Sequence, residues 1–331
     1  MRRIRPLYFF DKKKTQEMIS FLNNSVSDNY INHIMFNPLS PLHQLLPLPL
    51  KFLPESYVLR ENGETLGLIS VAPTKGKEKK IEIQKLFFEE NSFETATELI
   101  QFAVAKYKAK GAFSILVRVD DYLPQLMTML VSKCGFSKIS YEKLWRVKNF
   151  TDTEFNKRDF RSFRNSDAFA VANLYNDSIL PHFRPLLSKD ITDFKENILQ
   201  GLSYYSEYKY VLEERGSKTI TACITIRTYD NENYVLDIIQ HGGIELDINA
   251  ILNFAAYQIR KRKQRFGLFI KTRRYTNLGE KYESQLMNDN FECVQNHILL
   301  TNTSAKILRE DIKNGRFTVI SDFAPTKPMP I

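Results

Sequence analysis

The sequence predicts a mixed α/β protein made of two similarly built halves, each a twisted mixed sheet flanked by helices. Three observations carry this. First, short β-branched and aromatic runs alternate with stretches of helical period along the chain. Second, residues 113–136, FSILVRVDDYLPQLMTMLVSKCGF, read as a buried strand, an acidic turn and a short helix stopped at Gly135. Third, the chain matches itself when shifted by about half its length. Ile4-Arg5-Pro6-Leu7 with Asp11 aligns with Phe160-Arg161-Ser162-Phe163 and Asp167. Ile81 and Ile83 fall on Leu236 and Ile238, Ile115 on Ile270, and Gly135-Phe136 on Asn290-Phe291. Asparagine is the other residue that readily takes a left-handed helix cap. A chain of 331 residues suits two domains of the usual ~150 each. The expected division is 1–150 and 158–320.

In order, the first half opens with a strand over 4–8 and a helix over 14–23, where Met18, Ile19 and Leu22 share a face. Residues 36–54, FNPLSPLHQLLPLPLKFLP, carry too many prolines for a long helix and read as an irregular apolar segment, on the core or beside a cleft. Strands over 56–60 and 65–71 flank the hairpin turn Glu61-Asn62-Gly63-Glu64. A basic loop over 75–80, a strand over 82–88 and a helix over 98–110 ended by Gly111 follow. After the 113–136 unit, an edge strand over 140–147 closes the half, its Trp145 packing between the halves. Polar residues 149–157 form the linker.

The second half repeats the plan: a strand over 160–163, a helix over 168–176, and an aromatic connector including 182–187 and 202–208. A hairpin joins 210–212 to 219–227 through Arg215-Gly216-Ser217, and a strand covers 234–239. Then come a helix over 249–263, a strand over 267–271, a helix over 278–288 and a strand over 294–302. The proline-rich tail 325–331 is expected to fray.

Composition bounds the function. Hydrophobic residues make up 43% and charged residues 26%, as in ordinary globular proteins, which argues against wholesale disorder. The net charge of +9 favours polyanionic or phosphorylated partners. Cys134, Cys223 and Cys293 lie far apart, which suits a reducing compartment. No apolar run reaches the ~18 residues a membrane span needs. The opening MRRIRPLYFFDKKK turns charged too soon for a signal-peptide core. A cytoplasmic protein is expected. The five histidines show no i, i+4 pairing and no neighbouring cysteine, so no metal site is expected. There is no P-loop and no GxGxxG after a strand.

Each half reads strand, helix, hairpin, strand, helix, strand, helix, strand. That order, with IRPL…D at the start and SKCGF near the end, resembles the GCN5-related N-acetyltransferase (GNAT) superfamily, twice over nearly the whole chain. The resemblance implies a sheet that splays between its fourth and fifth strands. It implies acetyl-CoA as co-substrate in that gap, with its pyrophosphate on the amides opening the third helix and a small-molecule or peptide amine as acceptor. Such helix N-termini bind anions through unpaired amides and the positive dipole end. The family's loop there reads Arg/Gln-x-x-Gly-x-Gly/Ala. The first half has Asn91-Ser92-Phe93-Glu94-Thr95-Ala96, of which Ala96 fits. The second has Leu246-Asp247-Ile248-Asn249-Ala250-Ile251, with His241-Gly242-Gly243 earlier as another possible cradle.

Amine acylation needs a base for the amine and an acid for the leaving thiolate. The family often uses the tyrosine of Leu-Tyr-x-Lys-x-Gly-Phe as the acid. Here Val131 stands in that place in the first half and Leu286 in the second. Tyr282, one turn before Leu286, is the candidate acid, and Tyr122 offers the same in the first half. Asp237 is the candidate base, with Glu82 in the matching place. Arg260-Lys261-Arg262-Lys263, Arg265, Lys271 and Arg273-Arg274, bracketed by Tyr257 and Tyr275, could grip phosphates of CoA or a nucleic acid. Arg273 and Arg274 join His241, Gly242, Gly243, Asn91 and Ala96 as the expected cofactor contacts, with the second half as the expected binding half. Two alternatives stay open: a GNAT-like binding protein without CoA chemistry, and a nucleic-acid or ribosome-associated module.

Overall fold

Alternating burial sets the strands in place. In the computed structural model, which describes residues 2–8, 55–73, 80–88, 92–148, 160–196, 206–214, 217, 219–228, 230–244 and 246–303, all twelve strands join one sheet. The first half contributes β1 Arg3–Pro6, β2 Glu55–Glu61, β3 Glu64–Pro73, β4 Lys80–Phe88, β5 Ser114–Asp120 and β6 Ser137–Arg146. Its helices are α1 Phe93–Ala109 and α2 Pro124–Cys134. The second half contributes β7 Phe160–Ser162, β8 Ser206–Glu213, β9 Ile220–Thr228, β10 Asn233–Gln240, β11 Gly267–Arg273 and β12 Glu292–Thr303. Its helices are α3 Ala168–Ser178, the single turns α4 Arg184–Leu187 and α5 Ile191–Phe194, then α6 Ile248–Arg260 and α7 Gly279–Asn288.

The duplication is visible in the register. Ile81 faces Ile115 across the parallel β4–β5 pair, and their repeat mates Leu236 and Ile270 face each other across β10–β11. α2 ends at Gly135 with φ 68°, and the turn after α7 puts Asn290 at φ 57°. The hairpin turn at Asn62-Gly63 has positive φ at both positions, as a two-residue loop between twisted strands requires.

The halves do not build separate sheets, as the sequence had suggested. The strand order is β1-β2-β3-β4-β5-β12-β6-β11-β10-β9-β8-β7. The closing strands are exchanged: β12 lies between β5 and β6, and β6 lies between β12 and β11. β6, expected at an edge, is central. A pseudo-twofold axis passes between β6 and β12, where Glu142 faces its own repeat mate His297. Hydrophobic pattern states which face a strand buries but not which neighbour it finds, so the exchange had no signature in one sequence.

One face of the sheet carries two cores. The first packs α1 and α2 through Leu99, Ile100, Ala103, Met129 and Leu130 onto Ile81, Ile83 and Val117. The second packs α6 and α7 through Ile251, Phe254, Ile259 and Leu286 onto Leu236 and Ile270. Trp145 sits in the second core with its indole N–H donating to Thr272 at 3.0 Å. The other face packs α3, α4 and α5 against Val211, Cys223 and Leu299. α1 begins five residues before its expected start because Thr95 and Ala96 are buried there although they carry no apolar repeat. The predicted helix 14–23, the segment 36–54, the loop residues 75–79, the linker and the tail lie outside the described residues. No helix among the described residues is long and apolar enough to cross a membrane.

Candidate active site

Both expected wedges exist in the sheet. β4 and β5 pair only from Lys80–Ser114 to Ile83–Val117, and β10 and β11 only from Asn233–Gly267 to Asp237–Lys271. Beyond those points the strands part although each continues. The two wedges differ in detail. Along β3–β4 the register slips between Ser70 and Val71, leaving Gln84 as an extra residue in β4. Such a bulge takes backbone groups out of the ladder and turns them aside. The β9–β10 ladder is unbroken from Tyr234–Thr228 to Gln240–Ala222. At the N-terminus of α1, Ser92 makes no side-chain cap and its hydroxyl lies 2.9 Å from Thr95 Oγ1. At the N-terminus of α6, the Asp247 carboxylate accepts from the Asn249 amide at 2.9 Å, placing a negative charge where an anion would bind.

Each wedge is crossed by an ion pair at repeat-related positions. Arg118 on β5 holds Glu82 on β4, and Arg273 on β11 holds Asp237 on β10 through two hydrogen bonds. The pairs belong to a charged row on the sheet face opposite α1 and α6, centred on Glu142. That carboxylate is 1% exposed, accepts from Arg118 Nε at 2.8 Å and Tyr275 Oη at 2.8 Å, and lies 2.6 Å from Lys271 Nζ. Burial alone would raise the pKa of Glu142, but Arg118, Lys271 and Arg273 outweigh it and hold it well below the usual range. Burial pushes Lys271 down to about 8, opposed by Glu142.

Many solved structures share this architecture. A tandem GNAT protein from the clavulanic acid biosynthesis pathway aligns over 92% of this chain and 98% of its own, with a TM-score of 0.64 at 9% identity. A GCN5-related N-acetyltransferase from Sphaerobacter thermophilus aligns over 91% and 95%, with a TM-score of 0.60 at 9% identity. A putative acetyltransferase from Pyrococcus horikoshii aligns over 92% and 89%, with a TM-score of 0.58 at 10% identity. The fold is that of a tandem GNAT protein. No protein-family model and no curated protein matches the sequence.

Within the tandem GNAT fold the predicted site residues scatter. Asp237 is locked to Arg273; burial would raise its pKa, but Arg273 overrides that and lowers it, which makes it a poor base. Arg273 is 9% exposed and spent on that pair, so it is not a free phosphate contact. Arg274 is exposed and lies 3.5 Å from Glu280. Tyr282 is buried with its hydroxyl bonded to Gln240, and burial raises its pKa. Tyr282, Gln240 and Arg273 fill the second wedge, leaving a cavity of about 20 Å³, room for about one water. His241 and Gly242-Gly243 form an exposed turn past β10, in which His241 Nδ1 accepts from the Gly243 amide at 3.2 Å. Ala96 is fully buried and its amide already donates to the Ser92 carbonyl. Asn91 lies outside the described residues. Val131 is exposed on α2, and so is Tyr122 before it.

The basic region divides. Lys271, Arg273 and Tyr275 are in the interior row, so Tyr275 cannot flank a bound base. Lys261 and Arg262 stay near the surface over the rings of Tyr257 and Tyr208, at 4.3 and 4.0 Å. They border a groove of about 470 Å³ with Phe160, Ser162, Tyr210 and Gln258. Arg118 had no expected role and Arg273 was expected on phosphate, yet a signal for their bridging was there. Arg118 and Arg273 obey the same offset that relates Glu82 to Asp237.

Proposed function

We propose that the protein is an acyl-CoA-dependent N-acyltransferase that binds its acyl donor in the first half's wedge, with the second half as scaffold. The observation that carries this reading is the contrast between the wedges. The first has a bulged β4 and a helix N-terminus without a side-chain cap, its first-turn Glu94 lying at the surface 3.5 Å from Arg2; the second has an unbroken ladder, a filled gap and a carboxylate bonded to its first-turn amide. Acyl-CoA supplies an activated acyl carbonyl. The first-turn amides of α1 suit its pyrophosphate through their dipole and donors, and the single-bulged strand beside Gln84 offers backbone partners to the pantetheine arm. Glu82 and Arg118 border the face from which an amine would approach.

Calorimetry with acetyl-CoA tests the reading. Micromolar binding that survives Asp247→Ser is expected; absence of binding would refute it. The non-catalytic alternative draws support from Val131 in the usual tyrosine position and from Glu82 being engaged by Arg118. It would show as binding without turnover over a panel of primary amines.

A further inference from the structure

The strand exchange places a residue of the second half beside the end of β5, the strand that borders the first half's wedge. His297 on β12 stands opposite Asp120 of β5 on one side and Glu142 of β6 on the other. Asp120 lies three residues beyond Val117, where β4 and β5 have parted, on the same face as Arg118 and Glu82. His297 Nε2 is 3.2 Å from Asp120 Oδ1, and the two side chains are 28% and 16% exposed. The imidazole thus stands at ion-pair distance from Asp120 and is partly exposed. Of the carboxylates nearer the centre, Glu82 is paired with Arg118, and Glu142 is held well below its usual range by Arg118 and Lys271 despite its burial.

We propose that His297, supplied by the second half, is the general base of the first half's transfer site, and that Asp120 is the positioning residue that fixes its tautomer. The assignment rests on the transferase reading above. A neutral ring that keeps its proton on Nε2, the nitrogen 3.2 Å from the Asp120 carboxylate, has Nδ1 left to accept. As the amine nitrogen bonds to the acyl carbon, the carbon–sulfur bond breaks and its electron pair leaves on sulfur. The proton shed by the nitrogen goes to Nδ1 and then, through solvent, to the thiolate, so the base is regenerated. Asp120 and Arg118 from β5, Glu142 from β6 and Lys271 from β11 face this ring. Burial lowers the imidazole pKa, with Asp120 and Glu142 opposing and Lys271 and Arg118 adding to the fall, which favours the neutral base near pH 7.

The experiment uses the full chain. The His297 resonance, assigned by its loss in His297→Gln, is titrated by NMR in wild type and Asp120→Asn. Removing the carboxylate should lower its pKa by about one unit. Thiol release from acetyl-CoA with n-butylamine as acceptor should rise through the NMR pKa in wild type. In His297→Gln, kcat should fall on the order of 100-fold and lose that limb, with KM for acetyl-CoA unchanged. An unmoved titration in Asp120→Asn, or a retained rate and limb in His297→Gln, would overturn the assignment. Lack of acetyl-CoA binding to wild type by calorimetry would instead bring down the transferase reading and this inference with it. Binding with a rate indifferent to His297 would bring down this inference alone.

Discussion

Glu142→Gln keeps the shape of the side chain and removes one negative charge from the interior row. In wild type, Glu82, Glu142 and Asp237 face Arg118, Lys271 and Arg273, three charges of each sign. Removing one partner of a buried ion pair costs about 3–5 kcal/mol. The lower figure is expected here, for two reasons. Arg118 and Arg273 keep Glu82 and Asp237 as partners. Lys271, already held near 8, can shed its proton once Glu142 no longer pulls its pKa upward. Urea unfolding at pH 7 should therefore show a loss of about 3 kcal/mol, and Lys271→Met in the same chain should recover most of it. The pH dependence gives a second check. The folded pKa of Glu142 lies below its ordinary value of 4.5, so its contribution is complete above that pH and is lost as pH falls through the folded value. Wild type and Glu142→Gln should converge in acid. A deficit below about 1 kcal/mol at pH 7, or a gap that persists undiminished in acid, would show that the row is not the electrostatic unit described.

Three further outcomes are expected. Residues 1–157 expressed alone lack β12, so β5 is left with an open edge and with no Ile298 or Leu300 over Val119 and Val117. This fragment should aggregate and should be rescued by co-expression with 158–331; a well-dispersed NMR spectrum from the fragment alone would contradict the exchange. Gly279→Ala should destabilise by about 3 kcal/mol in chemical unfolding, since its Cβ would lie 2.0 Å from the Arg273 carbonyl oxygen; an unchanged midpoint would mean α7 can move aside. Ser92→Asp imitates the second half's cap. Its charge about 5 Å from two phosphate charges in water-like surroundings costs ~1.7 kcal/mol, so calorimetry should show acetyl-CoA binding roughly 20-fold weaker. Equal affinities for Ser92→Asp and wild type would move the donor site elsewhere.

Much of this molecule was written in its residue pattern. The hairpin at Asn62-Gly63, the caps at Gly135 and Asn290, and the facing of Ile81 with Ile115 and Leu236 with Ile270 follow from local backbone preferences and from a repeat preserved in register. Those are short-range matters: a left-handed φ favours glycine or asparagine wherever the chain later packs, and alternation marks a buried face before any partner is chosen. Tertiary structure decided the rest. Only the assembled sheet exchanged β6 with β12, turned Asp237 and Arg273 from catalytic and phosphate-binding candidates into an ion pair, and brought His297 beside Asp120. Whether a charged side chain serves as ligand, base or counter-ion depends on what lies within a few ångströms of it. Across strands so distant in sequence, that neighbourhood exists only once the chain has folded.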